Sequence, residues 1–196
     1  MCATCYHVVM NKRSEIYVSI DVETDGPIPG PHSMLSLGAA AFDSAGTLIQ
    51  TFTVNLNCLP DAQPHPDTWA WWQQNLTAYE ETRRDCVSPE SGIQSFVTWL
   101  EALPGKPVAV ASPAGFDFMF TYWYLIRFAG RSPFSFSCID VKSVAMTLLN
   151  TPYRFSGKRA WPNRWFSGRP HTHVALSDAI EQGESFCIML KEMHDK

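Results

Sequence analysis

The sequence predicts an α/β fold: a mixed central sheet with antiparallel first strands and flanking helices. Two patterns carry that prediction. Three apolar runs fall between residues 16 and 56, and helical and strand-like stretches then alternate to the C-terminus. A hydrophobic content of 45% against 17% charged residues supplies a core and argues against disorder. At 196 residues, the chain has the length for one domain around such a core.

Each element has its own signal. Ile16 to Asp21 reads as the first strand, and Gly26-Pro-Ile-Pro-Gly-Pro31 after it is a stretch no regular element crosses. Met34 to Phe42 and Leu48 to Leu56 read as strands two and three, and Asp43-Ser-Ala-Gly46 between them gives the turn of an antiparallel hairpin. Beyond Pro64 and Pro66, a Trp-rich helix is expected from Asp67 to about Asn75. Ser88-Pro89-Glu90 opens a helix with a capping hydroxyl, proline at the first position and an acid in the first turn. That helix sets Ile93, Phe96, Val97 and Leu100 on one face and closes at Pro104-Gly105. A short buried strand follows over Pro107 to Ala111, then a helix from about Phe116 to Phe128. Phe136 to Asp140 reads as another strand, Val141 to Leu149 as a helix, and Ala175 to about Met193 as the last helix. Residues 1–14 read as a flexible leader and residues 15–196 as a single domain.

Composition narrows the function classes. No apolar stretch approaches a membrane span and the N-terminus does not resemble a secretion signal, so a cytoplasmic protein with no membrane partner is expected. The six Cys are scattered without a disulfide-scaffold spacing, which suits reduced thiols. Cys2-Ala-Thr-Cys5-Tyr-His7 has no second Cys/His pair to complete a zinc knuckle. The net charge of −4 is unevenly spread: residues 141–177 contain no acid. Lys142, Arg154, Lys158, Arg159, Arg164 and Arg169 lie there among Tyr153, Phe155, Trp161, Trp165 and Phe166. That segment reads either as a surface for an anionic partner or as a solvated loop with its aromatics tucked inward.

The acids carry the chemistry. Asp21 and Glu23 are two apart on a strand, so their carboxylates share a face, where like charges cost free energy unless a cation or a proton joins them. The pair reads as half of a metal site or as a strand that ends in polar residues. Asp117 is a lone acid in the apolar stretch Phe116-Asp-Phe-Met-Phe120, and Asp178 opens the last helix five residues after His173.

In that order, these motifs resemble the DEDDh family of 3′→5′ exonucleases, which includes polymerase proofreading subunits, ribonuclease T and oligoribonuclease. The first motif is similar to Asp21-Val22-Glu23-Thr24-Asp25-Gly26, with Leu35-Ser-Leu-Gly-Ala39 behind it. The second is similar to Ala114-Gly-Phe-Asp117-Phe-Met-Phe120, and the third to His173-Val-Ala-Leu-Ser-Asp178-Ala179. The likeness runs from about Glu15 to Leu190. Ser112-Pro113 stands where relatives usually carry His-Asn, a departure that bears on local substrate contacts.

The resemblance implies a ribonuclease H-like fold and hydrolysis of phosphodiester bonds at single-stranded 3′ ends, leaning to RNA over DNA. It implies two divalent cations about 3.5–4 Å apart, Mg²⁺ or Mn²⁺, since oxygen-only ligands suit hard ions. Asp21 would bridge them, Glu23 and Asp178 would complete one site, Asp117 would serve the other, and His173 would be the general base. Thr24 and Gly26 would line the pocket of the terminal nucleotide. Arg159, Arg164 and Arg169 would contact phosphates, while Trp161 or Trp165 stacks on a base. A homodimer is compatible with the family. Two alternatives stand beside this reading: a catalytically silent nucleic-acid-binding module of the same fold, and a phosphoesterase for a small substrate.

Overall fold

The computed structural model describes residues 14–195. The leader, with Cys2 and Cys5, falls almost wholly outside them. Five strands form one sheet in the order β3-β2-β1-β4-β5. β1 (Glu15–Thr24), β2 (Met34–Phe42) and β3 (Leu48–Asn55) make an antiparallel meander, and β4 (Lys106–Ala111) and β5 (Cys138–Asp140) add in parallel on the far side of β1. β1 is thus central and runs three residues past the expected end at Asp21, so that both acids lie inside the strand.

Helices cover both faces. α1 (Pro66–Trp72) and α2 (Leu76–Thr82) follow β3, and α3 (Pro89–Glu101) leads into β4. α4 (Ala114–Tyr124) continues through a wider turn at Leu125–Ala129, and α5 (Val141–Leu149) follows β5 directly. α6 (Ala175–His194) closes the chain. The expected cap holds: Ser88 accepts from Ser91 N at 3.1 Å; at the start of α5 the Asp140 carboxylate likewise accepts from Ser143 N at 2.9 Å. One expectation is corrected: the Trp-rich helix stops at Trp72, and a second short helix, α2, begins at Leu76. The strand before α5 begins at Cys138, leaving Phe136 exposed.

The pleat of β1 divides the interior. Ile16, Val18, Ile20 and Val22 point into a core with Ile93, Phe96 and Leu100 of α3 and with Phe120 and Tyr124 of α4. Tyr17, Ser19, Asp21 and Glu23 are the alternate set. On their side Tyr17 packs on Phe186 of α6, and Gln182 of α6 donates to Ser19 Oγ at 2.9 Å. A second core of Val110, Val141, Ala145, Trp161, Trp165, Phe186 and Met189 completes that layer. No helix among the described residues is long and apolar enough to cross a membrane.

Candidate active site

Two glycines decide how closely α6 lies on the sheet. Gly38 faces Asp21 across the β1–β2 ladder, and a Cβ there would fall 2.2 Å from the Ala175 carbonyl carbon. On α6 itself, a Cβ at Gly183 would meet the Phe42 ring at 2.2 Å. Any larger residue would lift the helix, and Asp178 in its first turn would move away from β1. With glycine at both positions, ligand atoms of Asp21, Glu23 and Asp178 lie within 4.8 Å of one another. A register shift between Glu23 and Thr24 ends the regular ladder beside them, as bulges often do next to sites. Asp117, in the first turn of α4, is fixed to the same strand by accepting a 3.3 Å hydrogen bond from Val22 N, between the two β1 acids.

These carboxylates repel one another in a poorly solvated place. Glu23, Asp117 and Asp178 are 9%, 4% and 2% exposed. Burial, then the charges of Asp117, Glu23 and Asp178, hold Asp21 well above the usual carboxylate range. Burial with Asp178 and Asp117 pushes Glu23 up to about 8, and burial raises Asp117 to about 7 against its own backbone hydrogen bonds. Lys158 lowers Asp21 somewhat, but its ammonium is paired 2.5 Å from Glu181. A set of oxygen donors this close and this short of positive charge fits a hard divalent cation better than any arrangement of protons.

Asp178 differs from the other three. Burial alone would raise it, yet the His171 ring and the amides of Thr172 and His173 outweigh burial and leave its carboxyl low. Thr172 N and His173 N each donate at 2.8 Å to its two oxygens, and His171 Nδ1 lies 3.1 Å from Oδ2. The backbone reaches this geometry because His173 adopts φ +56, the left-handed region rarely used by a residue with a Cβ. His173 itself packs edge-on against Trp71 at 4.8 Å and His171 at 4.5 Å between ring centroids. Burial and the neighbouring His171 lower its pKa.

The other expected substrate residues are not assembled as expected. Trp161 and Trp165 are 5% and 0% exposed and belong to the second core. Their indole N–H groups donate to Ser156 O and to a Glu192 oxygen, so the expectation that either stacks on a base is corrected: both rings are structural. Arg164 pairs with Glu192 and Arg169 with Glu184, both on α6. Arg159 is exposed. Thr24 and Gly26 do lie beside Glu23, at the end of β1. There the Thr24 hydroxyl donates to Gly26 O at 2.9 Å, and the His32 ring fills the space where a side chain on Gly26 would go. Sequence reasoning missed Trp71 and gave no role to His171 or Thr172. The run of Trp before Gln73 was the signal available for the first, and the His-x-His spacing for the second.

A family profile described as the 3′-5′ exoribonuclease Rv2179c-like domain matches residues 16–189. The 3′-5′ DNA exonuclease Cap18 of Escherichia coli is 29% identical over 191 residues, which span 93% of this chain and 95% of that protein. Among solved structures, the nuclease domain of 3′hExo, a DEDDh family member bound to rAMP, superposes with a TM-score of 0.64 at 12% identity over 93% of each chain. S. pombe Pop2p, in its Mg²⁺- and Mn²⁺-bound form, does so with a TM-score of 0.65 at 15% identity, over 87% of this chain and 81% of that one. At such identities these two structures establish the fold, which is ribonuclease H-like.

Proposed function

The chain belongs to the Rv2179c-like family of 3′-5′ exoribonuclease domains and is a 3′-5′ exonuclease, and from that premise we propose that it shortens single-stranded RNA with two Mg²⁺ or Mn²⁺ ions at its carboxylate cluster. One observation carries the proposal: Asp21, Glu23, Asp117 and Asp178 converge from β1, α4 and α6 beside His173.

In this reading Asp21, Glu23 and Asp178 would hold one ion, and Asp117 with Asp21 would hold the second. Bound there, the ions supply charge neutralisation at the phosphate and an acidified water. The protein's own groups do the rest. His173, its pKa lowered, is neutral near pH 7 and accepts the proton of the attacking water. Trp71 and the amide contacts to Asp178 keep its segment in place. The turn Thr24–Gly26 bounds the pocket of the terminal nucleotide, and Arg159 offers a charge to the phosphates upstream.

The choice of RNA rests on the family description. DNA is the second reading, favoured by the likeness to Cap18. A time course on 5′-labelled single-stranded RNA and DNA of one sequence tests both, run with Mn²⁺, with Mg²⁺ and with EDTA beside Asp21→Ala. The expected result is a metal-dependent ladder shortening from the 3′ end, faster on RNA and absent in the variant. Faster shortening of DNA would replace the first reading with the second. Binding without cleavage would overturn both.

A further inference from the structure

Asp178 belongs to two groups of ligand atoms. One is the all-oxygen set with Asp21 and Glu23. The other consists of His171, His173 and Asp178, whose donor atoms also lie within 4.8 Å of one another. The chemistry of the two sets differs. Carboxylates alone suit Mg²⁺ and Mn²⁺, whereas two imidazoles with one carboxylate suit a borderline ion such as Zn²⁺. We propose that His171, His173 and Asp178 form a second metal site selective for Zn²⁺-like ions, and that filling it withdraws His173 and Asp178 from the carboxylate cluster and stops cleavage.

The geometry is close to what such an ion needs. Ligands about 2.0–2.2 Å from a tetrahedral zinc sit about 3.3 Å from one another. His171 Nδ1 and Asp178 Oδ2 are already 3.1 Å apart, and the His171 and His173 rings are 4.5 Å apart at their centroids. The backbone holds the set together, because the turn at His173 sends two amides onto the Asp178 carboxylate and so carries both imidazoles to it. Entry is open. The His171 side chain is 51% exposed, and a cleft lined by Gln74, Asn75, Glu81, Thr172 and His173 runs up to the site. The fourth position is left to water.

The inhibitory half of this proposal rests on the reading of His173 as base; the binding half does not. The test separates them. The chelator-stripped full chain is titrated with Co²⁺, followed by the visible band of tetrahedral cobalt, and the cobalt is then displaced with Zn²⁺. Mn²⁺ binding is measured in parallel by calorimetry. His171→Ala and His173→Ala are expected to weaken Zn²⁺ by more than about tenfold while leaving Mn²⁺ binding in place, and Asp21→Asn is expected to do the reverse. In Mn²⁺, added Zn²⁺ should abolish 3′ shortening by the wild type, whereas His171→Ala, compared with itself without zinc, should need over tenfold more. Wild-type Zn²⁺ affinity in His171→Ala, or zinc bound with cleavage undiminished, would overturn the proposal. Should the wild type cleave nothing in Mn²⁺ alone, the exonuclease reading fails, and the cobalt titration still decides the site.

Discussion

Two regions of the molecule look functional in the sequence, and the fold treats their charges in opposite ways. In the segment from Tyr153 to Arg169, the cations are largely answered from within. Lys158 pairs with Glu181, Arg164 with Glu192 and Arg169 with Glu184, so α6 draws the segment down while Trp161 and Trp165 fill the core beneath. At the carboxylate cluster the charges are not answered. Glu23 and Asp117 are buried and Asp21 is half-buried, all three with raised pKa values, and the nearest ammonium is paired elsewhere. Charge density alone does not mark a site; charge that the fold leaves uncompensated does.

The sharpest way to break this comparison is at Asp21. Asp21→Asn should abolish shortening of RNA in Mn²⁺ while raising the thermal midpoint measured in EDTA, since it removes a carboxyl whose ionisation is opposed by burial and by its acidic neighbours. A variant that is inactive and also less stable would contradict the account of stored repulsion. His173→Ala should come next, losing about 10²–10⁴-fold in kcat, the range of a general base, with Mn²⁺ binding retained in calorimetry.

The opposite region should respond in stability. Trp165→Ala should cost about 3–5 kcal/mol in denaturant unfolding, the range of an aromatic removed from a core, with little change in oligonucleotide affinity measured where the variant is folded. Retained stability with lost affinity would return Trp165 to the substrate.

Next comes pH. Glu23 and Asp117 keep their protons up to about 8 and about 7 in the folded chain, against about 4 when unfolded. Between those limits the folded state binds more protons at these two groups, so in EDTA their contribution to stability falls as pH rises from about 4 to about 8. Saturating Mn²⁺ should flatten that slope in thermal melts, and stability that rises with pH in EDTA would contradict the cluster's electrostatics. The smallest effect belongs to Arg159→Ala, which should reduce the salt slope of single-stranded RNA binding by about 0.7, one phosphate contact.

Much of this was legible from residue order. Period-two alternation placed Asp21 and Glu23 together, and the cap at Ser88 fixed the start of α3. The break between α1 and α2 was not legible, because the Asn75 side chain makes no bond to the first turn of α2 and donates back to Trp71 O, and the two helices are joined by Trp72 packing on Tyr79. The fate of the basic segment was hidden as well. Composition counts its cations, but their partners on α6 lie 15 to 28 residues away along the chain. His171 was hidden because its contact with Asp178 exists only once His173 takes a left-handed turn.

The central claim is that the repelling carboxylates are a cation site. Calorimetric titration of Mn²⁺ into the wild type and into Asp21→Asn, with all trace metal first removed, tests it most directly. The account predicts saturable binding to the wild type that is weakened more than about 100-fold in the variant, beyond the roughly 10–100-fold of an outer-shell change. Equal affinity in the two proteins, or no binding to the wild type, would contradict it.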